Sequence, residues 1–362
     1  MDISVSQITD VRNSSDFKSI SFSGYKKSEV KKQILINMFN GKIEPACYWC
    51  AELICAGHFG DVWEICLHYL GKHIHLGNPK LPIYLEKRFA VFKNIMQEGM
   101  FYDELQLRNH NTIREIFAEI ICIFTSSPKK CAFERIKINK SDEFDITQMQ
   151  GRLKAPSVEY AEPIFQPKDP KELWIAINEF AYHIFKKDIM NACYWIEWVI
   201  EFDYICKQKK QKCVCERRSG IPVDAKFQKD IIWLIWDSLI LSAKNTNQPF
   251  VEKSIKAILN LFCIKFTPTT PKKRRYLLYY AVALLTEPHN PGIELITDKL
   301  LLETVITKIN KIYLQIKENE DSPNFDYMFS GLGTQRNVEK SIMKLEMMGN
   351  LDPVLAGSIA EL

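Results

Sequence analysis

The sequence lacks the features that would mark it for export or for a membrane. Its first residues, MDISVSQITDVRNSSDF, have neither the basic start nor the apolar stretch of a signal peptide. No apolar run reaches the ~18 residues that a membrane-spanning helix needs. The nearest run, IIWLIWDSLIL at 231–241, is shorter and contains Asp237, so it predicts a buried core helix. We therefore expect no membrane partner.

The sequence also lacks the motifs by which common catalytic sites are recognised. The segment GLGT at 331–334 does not end in Gly-Lys-Ser/Thr and follows no predicted strand, so it predicts a flexible segment. HExxH, GxSxG and Glu-x-x-His patterns are absent as well. We therefore predict a non-enzymatic protein without a cofactor, and an enzyme without a recognised motif is the third hypothesis.

The composition is that of an ordinary globular protein, with 46% hydrophobic and 25% charged residues among 362. A net charge of +4 is too small to indicate a polyanionic partner, so only local clustering of basic residues could do so. Eleven cysteines without an export signal indicate a reducing compartment and free thiols. We expect an intracellular protein.

Helical periodicity fills most of the chain, whereas strand signals are sparse. A clear start signal lies at DPKELW, where Asp169 can cap a helix and Pro170 occupies the first helical position. The sequence therefore predicts an all-α fold built from two related antiparallel helical modules, with a C-terminal helical extension.

The predicted domain limits follow the breaks in this periodicity. Polar, Ser-rich residues 1–26 predict a loosely ordered N-terminus, and residues 27–125 a first helical module. A Pro-rich, charged stretch at 126–168 predicts an irregular linker with room for a short β-hairpin. Residues 169–318 predict the second module with its extension, and 319–362 a flexible tail with one short helix near 336–348.

The tetrapeptide ACYW occurs twice, at 46–49 and at 192–195, each time in the second helix of a predicted antiparallel pair. Small Ala and Cys allow close helix approach, while large aromatic side chains fill the opposite groove. The repeat predicts a duplicated packing role, with both tryptophans in equivalent core positions. The predicted structural core residues are Tyr48, Trp49, Tyr194 and Trp195.

Two dense basic clusters are the strongest indication of a binding surface. One lies in a loop of the second module and the other at the start of a later helix, where positive charge opposes the helix dipole. Contact with phosphates would explain this placement, and solvation or a nuclear import signal are the alternatives. The predicted nucleic-acid contacts are Lys207, Lys209, Lys210, Lys212, Arg217, Arg218, Lys272, Lys273, Arg274 and Arg275.

Other groups of chemically active residues fit known sites poorly. Cys206, Cys213 and Cys215 are weak zinc candidates because their spacing is not that of structural zinc sites. A second patch has the same defect, and we expect no metal in either. The patch contains Cys55, His58, Cys66, His68, His73 and His75. The carboxylate pairs Glu115/Glu119 and Glu197/Glu201 predict solvated helix faces, because no His accompanies them.

The stretch 41–81, GKIEPACYWCAELICAGHFGDVWEICLHYLGKHIHLGNPKL, resembles the helical segment that follows the ATPase core in the MgsA and Werner-helicase-interacting ATPases, relatives of clamp loaders. Glu52 replaces an Arg of that family, and Glu44-Pro45 approximates its Asp-Pro. The resemblance implies a packing or oligomerisation region and carries over no active site. Because the ATPase motifs are absent, we expect no motor activity. The matching residues are Tyr48, Trp49, Ala51, Gly57, Leu76, Asn78 and Pro79.

As a whole, the chain is similar to a conserved family of unassigned function encoded by large nucleocytoplasmic DNA viruses of algae and amoebae. The resemblance implies an infected cell's cytoplasm or nucleus, and other viral proteins as partners. Our leading hypothesis is a helical scaffold or adaptor in viral genome replication, transcription or processing, able to form homo-oligomers and to contact nucleic acid weakly and without sequence preference. A virion or assembly protein is the alternative.

Overall fold

The computed structural model describes residues 6–10, 12–98, 104–138, 150–211 and 213–320. In this part of the chain a π-helix, Leu70–Ile74, continues directly from the third α-helix. The α-helices are α1 (Lys27–Phe39), α2 (Ile43–Cys55), α3 (Phe59–Tyr69), α4 (Leu81–Glu98), α5 (Glu104–Asn109), α6 (Asn111–Ser126), α7 (Trp174–Phe185), α8 (Ile189–Gln208), α9 (Ile232–Asn245), α10 (Pro249–Phe262), α11 (Thr270–Lys273), α12 (Arg275–Thr286) and α13 (Lys299–Lys317).

The all-α prediction is confirmed, because the described residues contain helices and two isolated β-bridges but no strand. The β-hairpin allowed for at 126–168 is therefore absent from the described part of that segment. None of the described helices is both long and apolar enough to cross a membrane. The short helix expected near 336–348 lies outside the described residues.

The chain divides into two compact units, and neither is continuous in sequence. The first contains the described residues up to Cys66, then Val91–Ser126 and those from Ile296 onwards. The second contains Leu67–Ala90 and the described residues from Ser127 to Leu295. The predicted modules differ from these units because segments distant in sequence pack together.

In the first unit α2 is the central helix, packed against α1, α6 and α13. Nine of its thirteen residues are buried, which agrees with apolar side chains around its whole circumference. Trp49 is 4% exposed and its ring meets that of Tyr25 edge-on at 5.2 Å. Tyr48 is half-buried beside it. The core of this unit is therefore built around the first ACYW copy.

The described part of the N-terminal segment is packed, which corrects the expectation of loose order. Phe17 and Phe22 are buried, and their rings lie 5.8 Å apart. The buried carboxylate of Glu52 accepts hydrogen bonds from the hydroxyls of Ser21 (2.7 Å) and Ser23 (2.6 Å). Because a buried carboxylate must be hydrogen-bonded, the serines that suggested disorder are instead partners of the core.

In the second unit α8 packs against α7 and α12, and α9 packs against α7 and α10. Trp195 is 1% exposed and Tyr194 3%. The apolar run at 231–241 forms most of α9, and its Trp233 and Trp236 are fully buried, which confirms the predicted core helix. Large aromatic side chains thus fill this core, as expected for residues that bury the most area.

The turns that precede the two ACYW helices have the same backbone geometry. After α1, the amide of Gly41 donates to Met38 O (3.3 Å) and that of Lys42 to Asn37 O (2.8 Å). After α7, Lys187 donates to Ile184 O (3.0 Å) and Asp188 to His183 O (2.8 Å). This is the Schellman pattern, whose next-to-last residue has a positive φ: 75° at Gly41 and 58° at Lys187.

Candidate nucleic-acid interface

The second unit carries a basic surface at the C-terminal end of α8. This helix ends in another Schellman turn, in which the amides of Lys210 and Gln211 donate to Lys207 O and Cys206 O. The side chains of Lys207, Lys209 and Lys210 are all exposed. Lys212, the fourth predicted lysine of this loop, lies outside the described residues.

The second basic cluster meets the first at this point. The ammonium group of Lys272 in α11 lies 5.2 Å from the ring centroid of Tyr204 in α8, within cation–π distance. Tyr204 is one turn before Gln208, whose side-chain amide donates to its hydroxyl at 2.5 Å. Residues about 65 positions apart in sequence therefore share one surface. We call Lys207, Lys209, Lys210, Lys272 and the adjacent, exposed Lys273 the basic face.

Two acidic side chains, Asp203 and Glu172, lie near the basic face in the described part of the chain. Asp203 forms an ion pair with Lys207 one turn away on α8, so one of the five lysines is partly neutralised. Glu172 lies near enough to Cys206 and Cys213 to raise the pKa of both thiols, after the larger effect of burial. The basic face therefore keeps a net positive charge.

Arg218 is not part of this surface, which corrects the prediction that it contacts phosphate. It is 5% exposed and holds both oxygens of Asp169 at 2.6 Å, while its Nε donates to Asp237 at 2.9 Å. Burial would lower the pKa of the guanidinium, but these hydrogen bonds raise it overall. Arg218 thus fastens its loop to α9, and Arg217, although exposed, donates to Gln228 at 2.7 Å.

Arg274 and Arg275 are also buried, and the prediction that they contact nucleic acid is corrected in the same way. Arg274 donates to the backbone oxygens of Phe262 (2.7 Å) and Ile264 (2.6 Å), where α10 ends with unsatisfied carbonyls. Arg275 donates to the carboxylate of Glu197 at 2.6 Å. Their position at a helix start is explained by these partners, and no ligand is needed.

The carboxylate pair of α8 is buried and does not form the solvated face that we predicted. Glu197 is 1% exposed and accepts hydrogen bonds from Arg275, from the Tyr279 hydroxyl at 3.0 Å and from Arg135 at 3.4 Å. Glu201 is 6% exposed. A buried acid requires such partners, and the sequence could not show them because they lie far along the chain. The other pair, Glu115 and Glu119, is half-buried.

The cysteine and histidine clusters do not assemble into a metal centre in the described part of the chain, where no group of three or more metal-binding residues has suitable geometry. Cys206 and Cys213 contact each other, whereas Cys215 donates to Asp230 O at 3.2 Å. In the second patch His58 lies 2.7 Å from Phe17 O. The cysteines and histidines named here thus contact different partners and do not converge on one point.

All eleven cysteines are free, and Cys131 is the one classed as exposed. Its sulfur lies 4.0 Å from Nδ1 of His73. For most of the others burial raises the pKa of the thiol, to about 12 for Cys47, Cys66 and Cys263. Such groups behave as small apolar side chains and not as nucleophiles.

Comparisons of the chain with models of protein families, with curated proteins and with solved structures gave no match. The basic face is therefore the structural feature that indicates a function. Sequence reasoning identified its lysines but missed Tyr204, although the spacing of Tyr204 and Lys207 on one helix places them on the same side. The three buried arginines in the same clusters could not be separated from the lysines by composition alone.

Proposed function

We propose that the protein is a non-enzymatic helical scaffold that binds nucleic acid weakly and without sequence preference through the basic face. The observation that carries the proposal is that Lys272 of the second cluster packs on Tyr204, in the last turns of the helix whose end carries the first cluster. Lysines act as point charges toward phosphates, so this surface suits the sugar-phosphate backbone.

The backbone at Lys210 supports the same proposal. Its φ is 55°, a conformation in which a side chain costs about 1 kcal/mol or more relative to glycine. The side chain is exposed. A lysine at this position therefore lowers stability, and contact with a phosphate would explain why it is there.

The resemblance to the collar segment of clamp-loader relatives, and to a family encoded by large DNA viruses, gives the proposal its setting. We propose that the scaffold acts in viral genome replication, transcription or processing, in the cytoplasm or nucleus of the host. Finding the protein in purified virions and not on replicating DNA would favour the virion or assembly role.

The test is a salt titration of binding to single- and double-stranded DNA of equal length. Each phosphate neutralised on duplex DNA contributes about −0.9 to the slope of log affinity against log salt, and about −0.7 on single strands. The variant Lys209→Glu/Lys210→Glu/Lys272→Glu should therefore flatten the duplex slope by about two to three.

A matched control variant distinguishes the loss of the basic face from the change in net charge of the protein. Lys244, Lys253 and Lys256 are exposed on α9 and α10 of the same unit, and their reversal to Glu changes the net charge equally. This control should keep the wild-type slope to within about one phosphate contact. Equal slopes for wild type and the basic-face variant, or no binding by wild type at low salt, would refute the proposal.

A further inference from the structure

A second exposed cluster lies at the opposite end of α8, at the turn between α7 and α8. The ring of Tyr160 lies 5.3 Å from that of Tyr182 and 5.9 Å from that of Phe185. Phe185 is 67% exposed, and Met190, in the first turn of α8, is 51% exposed. Large apolar side chains that remain in water add little to folding, so this group indicates a contact surface.

Two lysines complete this surface. The ammonium of Lys186 lies 5.6 Å from the ring centroid of Phe185 and 5.8 Å from that of Tyr182. Lys187 follows it and is also exposed. We call Tyr160, Tyr182, Phe185, Lys186, Lys187 and Met190 the aromatic corner.

The stability of the fold does not explain Lys187. Its φ of 58° belongs to the left-handed region, and the equivalent turn in the first unit has Gly41 there. A non-glycine residue in this conformation is strained, because its Cβ lies too close to the backbone carbonyl oxygen. The described residues include no ion-pair or hydrogen-bond partner for its side chain, so no side-chain contact in the described part of the unit offsets this strain.

The two lysines of the corner carry positive charge that is not paired with an acid among the described contacts. Asp188 is the nearest acid in sequence, and its carboxylate is engaged with His183 at 3.1 Å and with the Asn191 amide at 2.7 Å. On the Tyr160 side, Glu159 and Glu162 are exposed, but neither is paired with Lys186 or Lys187 among the described contacts. A ligand that packs on Phe185 and reaches Lys186 and Lys187 should therefore be apolar and carry its negative charge at the lysines, away from the two glutamates.

We propose that the aromatic corner docks a short acidic segment of a partner protein. A large apolar side chain of that segment packs on the exposed rings of Phe185 and Tyr182, and its carboxylates pair with Lys186 and Lys187. Aromatic side chains and Met are enriched in protein interfaces, and a few such residues commonly supply most of the binding energy. This surface and the basic face lie about 26 Å apart along α8, so both can be occupied together.

The probe for this docking is a labelled synthetic peptide of twelve residues, made of Asp and Glu with one Phe and one Leu a helical turn apart. We expect binding to the wild-type protein with a Kd of about 10–100 μM by fluorescence polarisation. Two further peptides serve as controls: one has Ser in place of Phe and Leu, and the other has Asn and Gln in place of the acids. Both should bind at least about fivefold more weakly, which is the loss expected from one contact of about 1 kcal/mol.

The protein variants locate the site. Phe185→Ser and the double variant Lys186→Glu/Lys187→Glu should each weaken binding of the acidic peptide by about fivefold or more. Phe39→Ser is the matched control, because Phe39 is the equivalent exposed residue before the first turn and is 48% exposed. It should leave the affinity unchanged.

Two further variants distinguish an effect on peptide binding from an effect on stability and from an effect of net charge. Lys187→Gly should weaken peptide binding while it raises the melting temperature, which a merely structural role would not produce. The basic-face variant should retain the wild-type affinity for the peptide. Loss of binding in the basic-face variant, unchanged affinity in Phe185→Ser, or preferential binding of a single-stranded oligonucleotide at Phe185 would overturn the proposal.

Discussion

The turns before the two ACYW helices have the same backbone geometry, but the side chains around the two helices differ. Their turns have the same two hydrogen bonds, and each tetrapeptide places its Trp in a core. The immediate neighbours of the tryptophans differ, with Tyr25 beside Trp49 and Trp198 beside Trp195. The comparison shows that a turn and a packing motif can be repeated while the contacts around them diverge. The duplication itself stays a prediction.

The buried acids illustrate this divergence. Glu52 follows Trp49 by three residues, whereas Glu197 follows Trp195 by two, which turns the carboxylate by about 100° around the helix. Glu52 consequently meets serine hydroxyls of the N-terminal segment, and Glu197 meets Arg275 of α12. A shift of one position thus changes which segment the helix anchors.

The largest expected effects come from the tryptophans. Trp49→Ala and Trp195→Ala should each lower the free energy of unfolding by about 3–5 kcal/mol, because both side chains are buried aromatics. Denaturant unfolding combined with hydrogen exchange at α2 and α8 would assign each loss to its unit. Phe185→Ala, at an exposed position, should cost no more than about 0.5 kcal/mol. A small loss at either Trp would show that its core contribution is not as described.

Removing the charge of the buried acids, Glu52 and Glu197, should lower stability by different amounts in the two ACYW helices. Glu197→Gln leaves Arg275 without its buried counter-charge and should cost about 3 kcal/mol or more. Glu52→Gln interrupts hydrogen bonds to neutral serines and should cost about 1–2 kcal/mol.

Chemical denaturation of both variants provides the measurement. Glu303→Gln, at an exposed position of α13, is the control and should change little. Equal losses for the two buried acids would contradict the distinction between an ion-paired and a neutral network.

The pH dependence should have opposite signs at Glu52 and at Asp169. Burial raises the pKa of Glu52, so its contribution to stability is full below its unfolded pKa and is lost as pH rises through the folded value. Burial would also raise the pKa of Asp169, but hydrogen bonds from Arg218 lower it overall. Its contribution is full above the unfolded pKa and is lost as pH falls through the folded value.

Hydrogen exchange between pH 4 and 7 can follow each unit separately. Glu52→Gln should flatten the decline in protection of α2 as pH rises, and it should leave the acid sensitivity around Asp169 unchanged. A steeper decline in α2 of this variant would mean that the sign assigned to Glu52 is wrong.

The smallest effects belong to the turns. Lys187→Gly should raise the free energy of unfolding by about 0.5–1 kcal/mol, because glycine adopts a positive φ without steric cost. Gly41→Lys should lower it by a similar amount, about 0.5–1 kcal/mol, and the open space around Gly41 means that only the backbone contributes. Thermal unfolding of the two variants measures both. A stabilised Gly41→Lys would show that the two turns are not equivalent.

Much of the fold could be predicted because helical periodicity and turn residues are local signals. The helices, the core position of 231–241 and the burial of Trp49 and Trp195 all follow from the apolar pattern. The discontinuous units could not be predicted, since packing between distant segments leaves no local trace.

For the candidate site, positive charge was visible in the sequence but its partners were not. One signal was available: Asp237, inside an otherwise apolar helix, required a cationic partner, and Arg218 is that partner. Arg274 had no comparable signal, because its acceptors are backbone carbonyls, which have no sequence signature. Arg275 pairs with Glu197, and nothing local in the sequence connects these two distant residues. Lysines remained at the surface because an ammonium group is strongly hydrated, whereas the arginines found buried partners.

The burial of the thiols has a consequence for the chemistry of the protein in solution. A rise in the thiol pKa from 9.0 to about 12, as at Cys47 and Cys263, lowers the thiolate population near neutral pH about a thousandfold. Alkylating reagents should therefore modify Cys131 first and reach these two only when the surrounding helices open. The rate at which Cys47 is alkylated therefore reports local opening of the first unit, and the rate at Cys263 reports local opening of the second.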